Sequence, residues 1–366
     1  MNIMENLRRF DFLLFFLMLL IVVIGLMTIY STQSHSEGIP FSSRYWVRQL
    51  LWFLFGLFFM FLVIIPKYDV FKHFSYFLLI VLIILLVLVL FTGREIYGAK
   101  RWLWLGYFSF QPSEFSKLVL TLVLAEYFSR KKELNIGLKD LLIPGIMFSV
   151  LTILILKEPD LGTAIMLIPV FLSIVYSAGL KRKIIIISLL LLMLIIPLIY
   201  SVLRPYQKER VLSFISPSET ALSSGYQQRQ SIIAVGSGGF FGKGFLQGTQ
   251  SKLRFLPKHH TDLIFSAYAE EWGFFGVLIL ISLYSLLFLR IIETAKLARD
   301  NFGRYFCIGI VSLLFAHTFV NIGMVIGLLP ITGLPLPLMS YGGSFLLLNM
   351  ILIGIIINIR MRRFGD

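Results

Sequence analysis

The sequence predicts an all-α polytopic membrane protein, and three observations indicate this fold class. Of the 366 residues, 58% are hydrophobic and only 14% are charged, whereas soluble domains have about 45–50% apolar and about 25% charged residues. The mean hydropathy is +0.87. The apolar residues lie in segments of about 20 residues, the length that a helix needs to cross a bilayer. This composition excludes a soluble enzyme, a disordered chain and a disulfide-rich secreted module.

Ten segments are candidate membrane spans. They are residues 11–30, 47–65, 73–92, 112–129, 141–156, 161–179, 184–203, 262–289, 305–329 and 341–359. Segment 112–129 differs from the others because Glu114, Lys117 and Glu126 interrupt it. No tandem repeat or low-complexity segment divides the sequence. We therefore expect a single transmembrane domain over residues 1–366.

The basic residues predict the orientation of this domain. The formal net charge is +14, from 33 Lys and Arg against 19 Asp and Glu. On a soluble chain such a surplus suggests nucleic acid, but in membrane proteins Lys and Arg collect in the cytoplasmic loops. With the N-terminus in the cytoplasm, 18 of the 33 fall in inner segments and only six in short outer loops. The sequence thus predicts cytoplasmic termini and no nucleic-acid partner.

A long loop, residues 204–261, joins the seventh and eighth spans on the predicted outer face. It has eight basic residues and the glycine-rich run GSGGFFGKG at 236–244. Loops of this length are uncommon unless they are functional. Glycine-rich backbone with Lys and Arg suits an anionic group such as phosphate, although the P-loop pattern GxxxxGK[ST] is absent. A merely solvated loop is the alternative.

Ionisable residues inside spans are costly and are default functional candidates. The motif QPSEFSK, residues 111–117, places Pro112 at a helix start. Glu114 and Lys117 are three residues apart, so they share a helix face and can pair. Two interpretations stay open, namely a structural ion pair and a pair that lines a polar cavity and orients a substrate.

The motif KEPDLGTA, residues 157–164, places Glu158 and Asp160 at an outer helix boundary, with Pro159 between them. Acidic groups at a helix N-terminus are favoured by the helix dipole alone. A simple helix cap and a catalytic or cation-binding carboxylate are therefore both possible for this motif.

The motif FLPKHHTDLIF, residues 255–265, leads from the long loop into the eighth span. Asp262 lies where the chain enters the membrane, and partial desolvation raises the basicity of a carboxylate. Such a carboxylate suits a general base. His259 and His260 lie close by, but adjacent histidines point in different directions on a helix and no HExxH motif is present. A zinc site made by the protein alone is not expected.

Together these segments resemble the SEDS family (shape, elongation, division and sporulation). The matching runs are GAKRWLWLG at 98–106, QPSEFSK at 111–117, EPDLGTA at 158–164, residues 226–273, and NIGMVIGLLPITGLPLPLMSYGGS at 321–344. They span most of the chain, and the ten predicted spans agree with the family. The run GTQSKLRFLP is more similar to the elongation-type branch than to the division-type branch.

The resemblance implies a peptidoglycan glycosyltransferase at the outer face of the bacterial cytoplasmic membrane. Such enzymes polymerise lipid II, a disaccharide-pentapeptide on undecaprenyl pyrophosphate, into β-1,4-linked glycan. They work with a class B penicillin-binding protein and other elongation-machinery proteins. The essential aspartate of the family falls on Asp262, which we expect to be the general base of an inverting transfer. Lys258 stands where the family often has an acidic residue, which changes the electric field at Asp262.

We expect further residues to bind the substrate. They are Arg101, Glu114, Lys117, Asp160, Gln227, Gln230, Lys243 and Lys252. The basic side chains would stabilise the departing pyrophosphate. Asp160 and Asp262 would help to hold Mg²⁺ or Mn²⁺, with substrate oxygens and water as the other ligands.

Two functions of other classes remain alternatives. A lipid-linked precursor flippase or transporter would need polar groups along a path through the membrane. A non-catalytic scaffold would only activate a transpeptidase, and its carboxylates would serve stability. An enzyme that faces outward requires its polar residues at one face of the membrane.

Overall fold

Long apolar helices make up most of the computed structural model. It describes residues 9–33, 44–96, 99–105, 108–131, 137–181, 208, 214, 224–252 and 260–364. The helices are α1 (Phe12–Gln33), α2 (Tyr45–Ile64), α3 (Asp69–Thr92), α4 (Pro112–Ser129), α5 (Leu142–Lys157), α6 (Leu161–Ser177), α7 (Ser224–Ser237), α8 (Thr249–Lys252), α9 (Ile264–Leu297), α10 (Asn301–Val325) and α11 (Gly343–Met361). The predicted span 184–203 lies outside the described residues.

Within these ranges, seven helices are long and apolar enough to cross a membrane. They are α1, α2, α3, α5 with the 3₁₀ turn before it, α9, α10 and α11. Helix α6 is shorter, with 17 residues, and α4 has 18 residues of which three are charged. Both coincide with predicted spans. The predicted polytopic helical membrane protein is therefore confirmed.

A small antiparallel sheet between α3 and α4 was not predicted. Its strands are β1 (Arg94–Ile96), β2 (Ala99–Leu105) and β3 (Phe108–Phe110), in the order β1-β2-β3. Arg94 pairs with Trp102, and Leu105 pairs with Phe108. The sheet caps one end of the helix bundle, which we call the sheet end.

Helix α4 lies in the interior of the bundle and packs against α3, α6 and α10. Nearly all of its side chains are buried, including all three charged ones. A helix that is buried on every side can hold charges only if they are paired. The polar residues of α4 are therefore part of the interior, not a solvated face.

The opposite end of the bundle is fixed by a buried ionic network. Arg290 at the end of α9 and Arg360 at the end of α11 both bind Asp11, at 2.9 and 2.8 Å from its Oδ2. Asp11 Oδ1 also accepts a hydrogen bond from the backbone N–H of Leu14. Cys307 is fully buried in α10.

Candidate active site

A cavity of about 540 Å³ opens at the sheet end of the bundle. Ligand pockets usually have volumes of about 300–1,000 Å³. Its wall consists of Arg101, Trp102, Gln111, Glu114, residues 159–163, Ile165, Thr261, Asp262, residues 330–335 and residues 341–345. It thus brings together Arg101, Glu114, Asp160 and Asp262, which lie in four separate motifs of the sequence.

Asp160 is both a helix cap and a cavity residue, so its two predicted roles coexist. It is the N-cap of α6, and its Oδ1 accepts a hydrogen bond from the Thr163 N–H at 3.2 Å. Its Oδ2 accepts from the Thr163 hydroxyl and from Gln111 Nε2, both at 3.0 Å. These donors fix the direction of the carboxylate toward the cavity.

Arg101 on β2 holds the turn that precedes α6. Its Nε donates to the Glu158 carbonyl at 3.0 Å, and its Nη2 donates to the Pro159 carbonyl. Its Nη1 lies 3.8 Å from Asp160 Oδ1. The side chain remains partly exposed, so the guanidinium both positions the turn and presents positive charge to the cavity.

Glu114 and Lys117 form the predicted ion pair, at 2.8 Å between Oε2 and Nζ. Lys117 is completely buried behind the cavity wall, where its ammonium lies 5.2 Å from the ring centroid of Phe345. The Thr163 hydroxyl is 3.5 Å from Glu114 Oε1. A polar chain therefore runs from Lys117 through Glu114 and Thr163 to Asp160.

Glu158 is a buried carboxyl group that belongs to the motif KEPDLGTA but is not among the site residues predicted from the sequence. It lies in the turn between α5 and α6 and has no solvent exposure. Burial and the like charge of Asp160 raise the pKa of Glu158 to about 8, against the opposing effects of the Ser113 hydroxyl and of Arg101. Near neutral pH the Glu158 carboxyl group is thus mainly protonated.

Hydrogen bonds from two side chains to backbone carbonyls hold the Asp262 segment against α10 and the segment that follows it. Asn321 Nδ2 donates to the carbonyls of Asp262 at 2.9 Å and of Leu334 at 2.7 Å. The Ser340 hydroxyl donates to the Thr261 carbonyl at 2.7 Å. Asn321 was missed in the sequence, although an asparagine within an apolar span is itself a signal of a polar contact.

The segment 330–342 is in turn fixed by polar groups of the bundle. Tyr284 donates its hydroxyl to the Pro337 carbonyl at 2.5 Å. Gln49 Nε2 donates to the Ser340 carbonyl at 3.0 Å. Because these donors lie on α9 and α2, the cavity wall has a rigid support on two sides.

His260 takes part in ring and backbone contacts, whereas His259 lies outside the described residues. The His260 ring stacks on Tyr45, with the ring centroids 4.1 Å apart, and the His260 carbonyl accepts from the Tyr341 N–H. In the described part of the chain, no group of three His, Cys, Asp or Glu is close enough to hold a metal ion. A cation in the cavity would therefore need substrate oxygens or water as additional ligands.

Among the predicted substrate-binding residues, four do not line the cavity, namely Lys117, Gln227, Gln230 and Lys243. Gln227 and Gln230 are partly exposed on α7. Lys243 pairs with Glu270, at 2.7 Å between Nζ and Oε1. Lys252 ends α8, and its side chain lies outside the described part of the structure. Their contact with substrate stays a prediction.

Comparison with known proteins decides the family. The model of the FtsW/RodA/SpoVE family, described as cell cycle protein, matches residues 11–364. The chain belongs to this family. The family predicted from the sequence motifs is thereby confirmed, and with it a multi-pass membrane protein.

Named relatives and solved structures cover most of the chain. The peptidoglycan glycosyltransferase MrdB of Escherichia coli K12 is 43% identical over 73% of this chain and 72% of its own length. Stage V sporulation protein E of Bacillus subtilis is 36% identical over 95% and 96%. A peptidoglycan synthase complex, solved for its coordination of polymerization and crosslinking, matches with a TM-score of 0.83, 31% identity and coverage of 98% and 99%. RodA of Thermus thermophilus matches with a TM-score of 0.73, 30% identity and coverage of 98% for both chains.

Proposed function

We propose that this chain is a peptidoglycan glycosyltransferase that polymerises lipid II during cell elongation. The observation that carries the proposal is that one cavity at the sheet end gathers Arg101, Glu114, Asp160 and Asp262. The names of relatives such as MrdB agree with this activity. The buried side chains of α4 beneath the cavity favour a site at one face over a transport path.

Asp262 is the general base of the proposed transfer. Its carboxylate removes the proton from the acceptor 4-hydroxyl, while that oxygen bonds to the anomeric carbon of the donor sugar. The bond from this carbon to the pyrophosphate oxygen breaks, and the pyrophosphate leaves with its electron pair. Attack opposite an α-linked leaving group gives the β-linkage, so one carboxylate suffices as base.

Arg101 and a divalent cation would stabilise the departing pyrophosphate. Arg101 presents its guanidinium at the cavity wall next to Asp160. Asp160 and Asp262 would hold Mg²⁺ or Mn²⁺, because Mg²⁺ is usually bound by one or two carboxylates together with phosphate oxygens. Such a cation neutralises charge on the leaving group. Lys117 would support this region indirectly, through Glu114.

We further propose that the cavity faces the extracytoplasmic side of the bacterial cytoplasmic membrane. The support is the excess of Lys and Arg in the segments at the opposite end of the bundle. A class B penicillin-binding protein is the proposed partner, since the similar synthase complex couples polymerization to crosslinking. Other elongation-machinery proteins are proposed partners through the likeness to RodA.

Asp262→Asn in the purified protein tests the assignment. Glycan from lipid II would be measured on gels with and without the partner transpeptidase, and thermal unfolding in detergent would report folding. We expect loss of polymerisation with an unchanged Tm. Asp69→Asn is the control, because Asp69 is an exposed acidic residue at the other end of the bundle. Full activity of Asp262→Asn would refute the assignment.

A lipid II flipping assay in liposomes, run beside the polymerisation assay, separates the remaining alternatives. Flipping without polymerisation would indicate a transporter. Wild-type protein that forms no glycan with any cation would indicate a scaffold.

A further inference from the structure

Helix α9 is broken at Gly273, which has φ 62° and ψ −162°. A break in a helix leaves backbone N–H and C=O groups without their usual partners on both sides. In a membrane-spanning helix such groups must be satisfied by other parts of the protein. The partners here come from the glycine-rich run of the long loop.

Residues 239–244 replace the missing helical hydrogen bonds. Two of their N–H groups donate to carbonyls before the break, and two of their carbonyls accept from N–H groups after it. The bonds are Lys243 N to Glu270 O (3.0 Å), Gly244 N to Glu271 O (3.0 Å), Phe274 N to Gly239 O (2.9 Å) and Phe275 N to Phe240 O (3.2 Å). Residues 239–244 therefore complete the backbone hydrogen bonding of α9 on both sides of its break.

Glycine is required where this loop meets α9. A Cβ at Gly238 would lie 2.2 Å from the Ala269 carbonyl oxygen, and one at Gly242 would lie 2.1 Å from that of Glu271. Both distances are far below van der Waals contact. The run GSGGFFGKG, considered from sequence as an anion-binding loop, is thus built for close backbone packing.

The Glu270 side chain binds the loop at two places, at Lys243 and at residues 249–250. It is completely buried, and its Oε1 accepts from Lys243 Nζ at 2.7 Å. The same oxygen accepts from the Thr249 N–H and hydroxyl, both at 2.8 Å, and from the Gln250 N–H at 3.1 Å. A buried carboxylate with several donors is strongly held, and so are its donors.

We call the contacts of Glu270 with Lys243, Thr249 and Gln250 the clasp. Asp262 lies two residues before the short helical piece 264–272, and the clasp is near the end of this piece. Asn321 and the Ser340 hydroxyl hold the start of the piece, and Glu270 holds its far end. The piece is only about two and a half turns long, so we expect a shift at Glu270 to be transmitted to Asp262. Misplacing a catalytic group by about 1 Å can cost about 100-fold in rate.

We infer that Glu270 is a positioning residue for Asp262, and that Lys243 completes this clasp instead of binding the pyrophosphate of the substrate. The inference rests on the proposed function, in which Asp262 is the base. The two roles differ in coupling: a phosphate ligand would act independently of Glu270, whereas two residues of one clasp act as a unit.

A double-mutant cycle with Lys243→Met and Glu270→Gln tests the inference by lipid II polymerisation. We expect each variant to lower kcat about 10- to 100-fold with an unchanged KM. The double variant should be no slower than the slower single variant, because the residues act as one unit. Lys243→Arg, which keeps the charge, should restore most of the rate. Lys296→Met, an exposed lysine at the other end of α9, should leave kcat unchanged.

The outcomes separate the inference from the proposed function. A raised KM with normal kcat in Lys243→Met, or additive effects in the double variant, would contradict the proposed role of the clasp. A rate loss equal to the loss of folded protein, as measured by thermal unfolding, would contradict it as well. If Glu270→Gln does not fold, Thr249→Val replaces it in the cycle. Full activity of Asp262→Asn would instead refute the proposed function itself.

Discussion

The Lys117 ammonium lies 2.8 Å from Glu114 Oε2 at a position where the lysine has no exposed surface. Two unlike charges in such surroundings stabilise each other, but each one alone would be a buried unpaired ion. The pair also links to the cavity, because the Thr163 hydroxyl lies 3.5 Å from the other oxygen of Glu114. It is a structural element beneath the proposed active site.

Removing one partner of this pair should destabilise the protein strongly. We expect Lys117→Met to lower the free energy of unfolding by about 3–5 kcal/mol, since Glu114 then remains buried and unpaired. The double variant Lys117→Met with Glu114→Gln should recover a large part of that loss. Thermal unfolding in detergent measures both. Equal or additive destabilisation in the double variant would contradict a coupled pair.

The Thr163 hydroxyl should tune cation use through Asp160. It donates to Asp160 Oδ2 at 3.0 Å, so Thr163→Val keeps the shape of the side chain and removes this donor. We expect polymerisation to need a higher Mg²⁺ or Mn²⁺ concentration for half-maximal rate, because the carboxylate loses one of the three donors that fix its orientation. Thr318→Val is the control, since the Thr318 hydroxyl donates only to its own helix, at Leu314 O. An unchanged cation titration in both Thr163→Val and Asp160→Asn would argue against a cation at Asp160.

Asn321 should matter for the rate although it does not line the cavity. Asn321→Leu removes the donor to the carbonyls of Asp262 and Leu334. We expect kcat to fall about 10- to 100-fold with little change in KM, because Asp262 loses its support. Asn349→Leu is a matched control, because Asn349 is also buried but donates within its own helix, to Phe345 O. Equal kcat in the two variants would show that Asn321 has only a general packing role.

Contacts between residues that are close in the sequence could be predicted from the sequence alone. The pair Glu114–Lys117 follows from a three-residue separation on a helix, and the cap at Asp160 follows from its place before an apolar run. Most spanning helices follow from their length and apolarity. Each of these inferences uses local physical chemistry alone.

Contacts between distant segments could not be predicted in the same way. Asn321 meets Asp262 across 59 residues, and no periodicity of either segment specifies this pairing. The strands at 94–110 are short and lie between two spans, where the apolar signal of the spans dominates. The run GSGGFFGKG has a composition that suits both an anion-binding loop and close packing, and only its three-dimensional contacts with α9, such as that of Gly242 with Glu271, indicate the packing role.

Two glycines in helices should respond oppositely to alanine. A Cβ at Gly25 would lie 2.5 Å from the carbonyl oxygen of Met339, in the segment 330–342, parts of which line the cavity. A Cβ at Gly145 would meet no heavy atom within 4 Å. We expect Gly25→Ala to lower the Tm, and Gly145→Ala to leave it unchanged or raise it, since alanine favours a helix over glycine by about 1 kcal/mol. A Tm of Gly25→Ala equal to that of the wild type would show that α1 can move away from Met339.

The proposed orientation predicts which end of the bundle a membrane-impermeant maleimide reaches in spheroplasts. Phe241 is 83% exposed near the cavity end, and Arg299 is exposed in the turn after α9 at the other end. In a Cys307→Ser background, we expect Phe241→Cys to react in intact spheroplasts and Arg299→Cys to react only after permeabilisation. Labelling in the reverse order would place the cavity on the cytoplasmic side. Asp262 would then face the compartment in which lipid-linked precursors are made, and polymerisation at the outer surface would be excluded for this site.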